Sequence, residues 1–297
     1  MASKQPLAEV FGFPIDNLTS EAQRYRVRKL CPYNNKTPNC TKDKAENPLG
    51  VCSVFEQDHA VVTCPIRFRQ NWLVVDDAAD FFFPPEAKWT SLAEVRLNDR
   101  YGRSAGNIDI VLVSYDDAGH ITDFGALEVQ AVYISGNVRA AFERYLSNPQ
   151  ENATMDWSKQ RFYPRPDYLS SSRKRLAPQL LFKGGILHAW GKKQAVAVDR
   201  HFFATLPKLD EVRRDEAELA WLIYDLRRDQ QTNRFQQTLD RIAYTRFKPT
   251  LDTITTAQPG DVADFVDHIQ MRLNEKLDGD DAAPPDAPSL QDLLGGE

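Results

Sequence analysis

The sequence has little cysteine, no long apolar run and no export signal. Its four cysteines all lie before residue 65 of the 297-residue chain. The longest apolar runs are far too short to cross a bilayer, which argues against a membrane-spanning protein. The opening MASKQPLAEVFGFP has neither a basic segment nor an apolar one that would direct secretion. We therefore expect a soluble, cytoplasmic protein.

Several common catalytic motifs are also missing. The sequence contains no GxxxxGK[ST], GxGxxG, HExxH or GxSxG, so nothing in it indicates an ATPase, a dinucleotide enzyme, a zinc protease or a serine hydrolase. The five histidines are scattered along the chain. His59 lies between two of the cysteines, but four thiols already make a complete set of metal ligands, so we interpret His59 as a bystander.

Positive charge is missing from the C-terminal end. Residues 278–297 contain six acidic side chains and no Lys or Arg, so the remaining chain has a net charge of +1 although the whole protein carries -5. A nearly neutral body can still have a basic face, and a nucleic-acid partner is not excluded. The composition of this tail predicts disorder, with a short helix at SLQDLL.

Hydrophobic patterning between these features predicts a mixed α/β protein. Strands or extended segments are predicted at AVVTCPIRF, LVVDDAADFFF, IDIVLV, ALEVQAVYI, QAVAVDRHFFATL, LAWLIYDLRR and RIAYTRF. Helices are predicted at SEAQRYRVRKL, WTSLAEVRLND, NVRAAFERYL, SSRKRLAPQLLFKGGILHAW and DVADFVDHIQMRLNEKL, the fourth of them interrupted by proline and frayed at its two glycines. The turn DDAGHITD predicts a hairpin of IDIVLV with ALEVQAVYI.

This predicted hairpin carries carboxylates in apolar runs. Glu128 and Gln130 share one face of their strand, and Asp109 can approach them from the neighbouring strand. Two carboxylates in a half-buried site are costly unless a cation compensates them, and Mg²⁺ binds hard oxygen ligands of this kind. The alternative is that these side chains simply face solvent from a one-sided sheet.

Glu94 lies on the predicted helix that precedes the hairpin. One interpretation is a capping box in which Glu94 bonds back to the backbone of Ser91. The other is that Glu94 points into the same acidic cluster.

The cysteines lie in a loop-rich segment, CPYNNKTPNCTKDKAENPLGVC. In a reduced cytoplasm such clustered thiols are typical of metal ligands, and a thiolate site would organise a segment too polar to fold by burial. The spacing differs from the compact CxxC…CxxC pattern. Free buried thiols or two disulfides remain open alternatives.

The block RKLCPYNNKTPNCTKDKAENPLGVCSV, followed by Glu94, Asp109 and Glu128-x-Gln130, resembles the NotI family of Type II restriction endonucleases. The acid, hairpin and Glu-x-Gln pattern is similar to PD-(D/E)XK nucleases, with Gln130 where that pattern has lysine. The resemblance covers about residues 10–190.

This resemblance implies an α/β fold in which a mixed sheet forms a restriction-endonuclease-like core. It implies a homodimer that cuts double-stranded DNA at a GC-rich palindrome, an Mg²⁺-dependent active site, and a cognate methyltransferase acting on the same site. It also implies a structural iron or zinc held by Cys31, Cys40, Cys52 and Cys64. Asp109 and Glu128 would bind Mg²⁺, with Gln130 and Glu94 completing the catalytic site.

On this basis we divide the chain into three parts. Residues 1–70 would be a metal-binding, DNA-contacting module, residues 71–277 the catalytic core and residues 278–297 an acidic tail. A rival hypothesis is a DNA-binding protein on the same scaffold that does not cleave, since Gln130 weakens the catalytic pattern. The candidates for DNA contact are basic residues: Arg24, Arg26, Arg28, Lys29, Lys36, Lys42, Lys44, Arg173, Lys174 and Arg175.

Overall fold

The structure, a computed structural model, describes residues 4–44 and 46–278 of the 297-residue chain. Those up to Thr255 form one compact unit, and a second unit begins at Thr256. The expected disorder of the tail and its short helix lie outside the described residues. None of the helices in the described ranges is both long and apolar enough to span a membrane.

The N-terminal segment forms a four-stranded sheet in the order β2-β1-β5-β6. The predicted first helix is confirmed, and the side chain of Thr19 caps its N-terminus. The elements are β1 Leu7–Val10, β2 Phe13–Pro14, α1 Ser20–Val27, β3 Asp43–Lys44, β4 Asn47–Pro48, β5 Val51–Glu56 and β6 His59–Val62.

A 3-10 helix, Pro65–Trp72, which is kinked at Gln70 and Asn71, leads into helix α2, Leu73–Phe82. The expectation of an extended segment at LVVDDAADFFF is therefore wrong. Val74, Val75, Ala78 and Ala79 are buried at helical spacing. Between them, Asp76 is exposed and Asp77 accepts a hydrogen bond from the Tyr224 hydroxyl. The paired apolar residues therefore follow the helical period and do not indicate a strand here.

Three consecutive strands follow: β7 Trp89–Asn98, β8 Ser104–Tyr115 and β9 Ile121–Gln130. The hairpin of β8 with β9 is confirmed, and its strands are antiparallel. The helix expected at WTSLAEVRLND is wrong, because this segment is the edge strand β7. Leu97 is the only buried residue of this strand, and an edge strand open to solvent on both faces has no regular alternation of apolar and polar residues to reveal it.

The next segment packs α3 against the N-terminal sheet and reaches a long helix. We call residues 168–189 the 168–189 helix; it is unbroken, with π-helical turns at Ser172–Leu176 and Leu180–Gly184. Its predicted fraying at the two glycines is not observed. The elements are β10 Tyr133–Ser135, α3 Val138–Ser147, α4 Pro149–Asn152, β11 Arg165–Asp167, and the helical turns α5 Tyr168–Ser171, α6 Ala177–Gln179 and α7 Gly185–Ala189.

The central sheet has six strands in the order β14-β13-β12-β9-β8-β7. Its middle strand β12 is parallel to both neighbours and buried along its whole length, as expected for a sheet covered on both faces. The mixed sheet and α/β class are those expected from the sequence. The remaining elements are β12 Gln194–Asp199, α8 Arg200–Ala204, β13 Leu219–Asp229, β14 Arg234–Thr245, α9 Phe247–Thr255 and, in the second unit, α10 Val262–Asp278.

The two faces of this sheet have separate cores. Leu127 and Val129 of β9 pack with α2 on one face. On the other face, Leu176 and Leu180 of the 168–189 helix pack with Val196 of β12. Glu128 alternates with Leu127 and Val129, so it belongs to the face covered by the 168–189 helix.

A buried ion pair joins the N-terminal sheet to the rest of the first unit. Arg67 and Glu9 are both fully buried, with Arg67 Nε 3.0 Å from Glu9 Oε2. Ser53 donates to the same carboxylate, and Arg67 also donates to the Phe235 carbonyl oxygen of β14. Hydrogen bonds with β5 and β14 therefore supplement the contact between the two charges, as burial of an ion pair requires.

Two adjacent glycines of the 168–189 helix provide a matched test of its packing. A Cβ at Gly184 would lie 2.7 Å from the Phe247 ring, whereas a Cβ at Gly185 would meet nothing within 4 Å. We expect Gly184→Ala to lower the free energy of unfolding by about 1–3 kcal/mol through overpacking. Gly185→Ala should raise it by up to about 1 kcal/mol through helix propensity. Urea unfolding measures both, and equal effects would contradict this packing.

Candidate functional site

Strands β8 and β9 separate at Asp109. Their last paired residues are Ile110 and Leu127. Just beyond this pair, Asp109 Oδ2 accepts a hydrogen bond from the backbone N–H of Val129 at 2.9 Å. The carboxylate thus takes the place of a strand carbonyl, satisfies the freed N–H and is itself held in one orientation.

Glu128 lies beside this opening and is paired with a lysine that the sequence analysis missed. Glu128 is only 8% exposed. Lys183, from the 168–189 helix, donates to Glu128 Oε2 at 2.6 Å and to the carbonyl oxygen of Asn107 at 2.8 Å. Lys183 is 55 residues from Glu128 in the chain, so no local motif could have indicated the contact.

The environment of Glu128 opposes its charge. Burial, and then the nearby carboxylate of Asp109, raise the pKa of Glu128 to about 8, although Lys183 acts in the opposite direction. Asp109 is also close enough to accept a hydrogen bond from a protonated Glu128. The expected convergence of the two carboxylates is thus present in the structure. Within the described residues, Glu128 Oε1 is buried and has no hydrogen-bond partner.

Gln130 follows Glu128 on the same face of β9 but is almost completely buried. Its Nε2 donates to the carbonyl oxygen of Ala131 at 2.8 Å. Its Oε1 is buried with no partner among the described residues. The neutral amide therefore presents an unpaired oxygen, and its nitrogen donates one hydrogen bond to the backbone.

Glu94 is on strand β7, so the capping-box interpretation is wrong, and the helix on which the alternative placed Glu94 is absent. Its neighbours pair as Ala93 with Ile110 and Val95 with Ile108, which places Glu94 at the level of Asp109. Its φ of +56° interrupts the regular strand. The Glu94 carboxylate is exposed and lies 3.5 Å from the Lys36 ammonium.

The four cysteines are brought together from separate elements. Cys31 and Cys40 lie in the loop after α1, Cys52 is on β5 and Cys64 follows β6. All are free thiols, and three are buried. Burial raises the pKa of Cys31 to about 11, and every pair among the four is close enough for electrostatic interaction. The structure thus contains no disulfide between them.

Proximity alone does not make a formed metal centre. In residues 4–44 and 46–278, no group of three or more His, Cys, Asp or Glu side chains has an arrangement ready to hold a metal ion. The four thiols are thus close to one another, but the structure does not show a formed metal site there.

The basic candidates for DNA contact differ in exposure. Arg26 is buried and donates to the carbonyl oxygens of Asn17 and Pro14. Contrary to the expectation, its guanidinium is therefore not exposed for a contact with DNA. Lys42 donates to the carbonyl oxygens of Val51 and Thr63 and helps hold the cysteine loop. Those that are exposed are Arg24, Arg28, Lys36, Arg173 and Lys174.

One exposed basic group was not anticipated. The turn between β7 and β8 carries Arg100 and Arg103 on either side of Tyr101, with the Arg100 guanidinium 4.5 Å from the ring centre. Asp99 fixes the turn by accepting from the backbone of Tyr101 and Arg103. This turn joins Asn98 of β7 to Ser104 of β8 at one end of their hairpin.

Comparison with known proteins agrees with this geometry. No curated protein matches the chain. The family model described as Restriction endonuclease NotI matches residues 10–237, which is more than half of the chain and includes the cysteines, the two carboxylates and Lys183. The protein therefore belongs to the NotI restriction endonuclease family.

Proposed function

We propose that the protein is a Type II restriction endonuclease that hydrolyses phosphodiester bonds of double-stranded DNA and requires Mg²⁺. The observation that carries the proposal is the meeting of Asp109 with the buried Glu128 where β8 and β9 separate. Two carboxylates in such a place repel each other and lose hydration, so they favour a bound cation. Family membership supports the nuclease class.

The donor set suits magnesium. Mg²⁺ prefers oxygen ligands and commonly binds through one or two carboxylates together with phosphate and water. Asp109 and Glu128 supply the carboxylates, and the unpaired Oε1 atoms of Glu128 and Gln130 are buried oxygens without partners in the described part of the chain. When bound, Mg²⁺ neutralises charge on the phosphate oxygens and lowers the pKa of an attacking water.

The residues around the carboxylates orient them. The Val129 N–H fixes Asp109, and Lys183 fixes one oxygen of Glu128. Gln130 can accept a hydrogen bond through its free oxygen, but it is neither a base nor a cation. Glu94 is the fourth member of the proposed site, because it lies at the level of Asp109 on the adjacent strand.

DNA affinity would come from exposed basic side chains that neutralise phosphates, with arginine contacting guanine edges in the major groove. We assign this role to the exposed candidates and to the turn carrying Arg100, Tyr101 and Arg103. Family membership supports a homodimer acting on a GC-rich palindrome, because a two-fold protein matches a two-fold site. It also supports a cytoplasmic location and a methyltransferase that protects the same site.

We further propose that Cys31, Cys40, Cys52 and Cys64 hold a structural iron or zinc ion. Four gathered thiols suit a thiolate metal, which binds only the deprotonated groups. Burial raises the pKa of the Cys31 and Cys52 thiols, so a cation would compensate charges that the segment otherwise disfavours. Residues 1–70 would then act as the metal-binding module that presents basic side chains to DNA.

Digestion of genomic DNA with the purified protein and Mg²⁺ tests the activity. Sequencing the fragment ends should give one recurring palindrome. Gel shift without cleavage would instead support the non-cleaving DNA-binding protein, and cleavage at unrelated sequences would contradict a site-specific enzyme.

Asp109→Asn should reduce the cleavage rate by at least about 100-fold, because a carboxylate that holds Mg²⁺ is lost. DNA binding in Ca²⁺ and the melting temperature should be retained, since asparagine can still accept the Val129 N–H bond. The matched control is Asp123→Asn on the same hairpin, where Asp123 pairs with Lys192 away from the site. A folded Asp109→Asn protein that cleaves normally would contradict the assignment.

The apparent affinity for Mg²⁺ should increase with pH. Because the pKa of Glu128 is raised to about 8, the carboxyl is largely protonated below that pH, and metal binding must displace the proton. The Mg²⁺ concentration giving half the maximal single-turnover rate should therefore fall as the pH rises from about 6.5 to about 8.5. A constant half-saturation value across this range would argue against Glu128 as a ligand.

The cysteine proposal predicts about one iron or zinc ion per chain by elemental analysis. Cys52→Ser should lower the metal content and reduce the melting temperature by roughly 5 °C or more, since 1 kcal/mol corresponds to about 2–4 °C in a domain of this size. His59→Ala, on the same hairpin, is the control that should keep the metal. Full metal content in Cys52→Ser would remove this thiol from the ligand set.

A further inference from the structure

The strand that carries Glu128 has no positive charge at the proposed site. Gln130 is neutral, and its amide nitrogen donates to the Ala131 carbonyl oxygen. Phosphodiester hydrolysis places extra negative charge on the phosphate oxygens, and fixed positive groups that face this charge contribute strongly to catalysis. A cation from another element would meet this need.

Lys183 is placed to be that cation. It is 5% exposed although it is a lysine, and its ammonium lies 2.6 Å from Glu128 Oε2. Its stem passes over Gly106 of β8, where a Cβ would lie 3.5 Å from Lys183 Cδ. The adjacent Gly184 permits close approach of the helix to Phe247 and Gln194.

The ammonium has bonding capacity that the fold does not use. A lysine ammonium has three donors. Glu128 and the Asn107 carbonyl oxygen accept two hydrogen bonds from it. In the part of the chain that the structure describes, the third N–H has no acceptor, and it can donate to a phosphate oxygen bound beside Glu128.

We propose that Lys183 supplies, from the 168–189 helix, the positive charge that the strand lacks at Gln130, and that its ammonium contacts a non-bridging oxygen of the scissile phosphate. This assignment rests on the proposed nuclease function. In the reaction a bond forms between the attacking water oxygen and phosphorus, and the bond from phosphorus to the leaving 3′ oxygen breaks. The water loses one proton to solvent, and the leaving 3′ oxygen takes one proton from solvent. Lys183 remains protonated throughout and stabilises charge without transferring a proton.

The alternative is that Lys183 has only a structural role and compensates the charge of the buried Glu128. Buried ion pairs are weak evidence for a stabilising role, and removal of one partner is costly to the fold. A lysine that only compensates or orients Glu128 would therefore change stability and the Mg²⁺ concentration giving half the maximal rate, while leaving the rate of the folded protein at saturating Mg²⁺ unaltered. The two roles differ in a measurable way.

The test is single-turnover cleavage at saturating Mg²⁺ by Lys183→Met and Lys183→Gln, with DNA binding in Ca²⁺ and the melting temperature measured on the same samples. We expect both variants to lose on the order of 100-fold or more in rate, as when a group aimed at developing charge is removed. DNA affinity of the folded fraction should stay within about threefold. Lys183→Gln keeps a hydrogen-bond donor and so carries the test if Lys183→Met does not fold.

Two controls complete the experiment. Lys192→Met removes a lysine that pairs with Asp123, also at 2.6 Å, and should cleave like the wild type. Lys183→Arg keeps the charge and should cleave at least about tenfold faster than Lys183→Met. A folded Lys183→Gln or Lys183→Met protein that cleaves within threefold of the wild type would overturn the assignment. Absence of cleavage by the wild type would instead defeat the proposed function itself.

Discussion

The burial of Glu128 beside Asp109 is the constraint on which the arrangement of the site depends. An ionised carboxyl in this position loses hydration and faces a second acid, and both effects raise its pKa. Two contacts in the fold offset the cost of this buried charge. Asp109 is tied to the Val129 N–H, and Lys183 reaches the remaining side from the 168–189 helix. The separation of β8 from β9 and the position of the 168–189 helix thus both serve to stabilise the two carboxylates.

The N-terminal segment is supported by a second buried charge. Glu9 of β1 and Arg67 of the 3-10 helix are fully enclosed, and the Arg67 guanidinium also stacks 4.4 Å from the Tyr33 ring. Tyr33 lies two residues after Cys31, and Ser53, which donates to Glu9, directly follows Cys52. The same network that joins the N-terminal sheet to β14 therefore also positions two of the four thiols. A substitution at Cys31 or Cys52 would therefore also disturb the contacts of Tyr33 and Ser53 with this ion pair, because these residues lie on the same backbone segments.

The sequence predicts the structure correctly where the hydrophobic pattern depends on a single hairpin. The alternation in β8 and β9 is visible because one face is apolar, and the turn between them fixes the pairing, so the meeting of Asp109 with Glu128 was predictable. It failed at β7, because an edge strand exposed on both sides lacks the alternation that indicates a strand. It also failed at α2, because adjacent apolar residues on this helix resemble the apolar run of a buried strand. Lys183 and the burial of Arg26 depend on contacts between distant segments, which no local pattern encodes.

The division of the site between a strand and a helix follows from the physics of charge stabilisation. Coulombic attraction depends on where the cation is and on the polarity around it, and it is indifferent to which segment carries the cation. A glutamine at position 130 is therefore compatible with a charged site as long as another element delivers an ammonium to the same space. Lys183 does so at 2.6 Å from Glu128, in a place where exclusion of water strengthens the interaction. By contrast, the exposed pair of Glu94 with Lys36 is worth little in water, so the Glu94 carboxylate can exchange that partner for another at small cost.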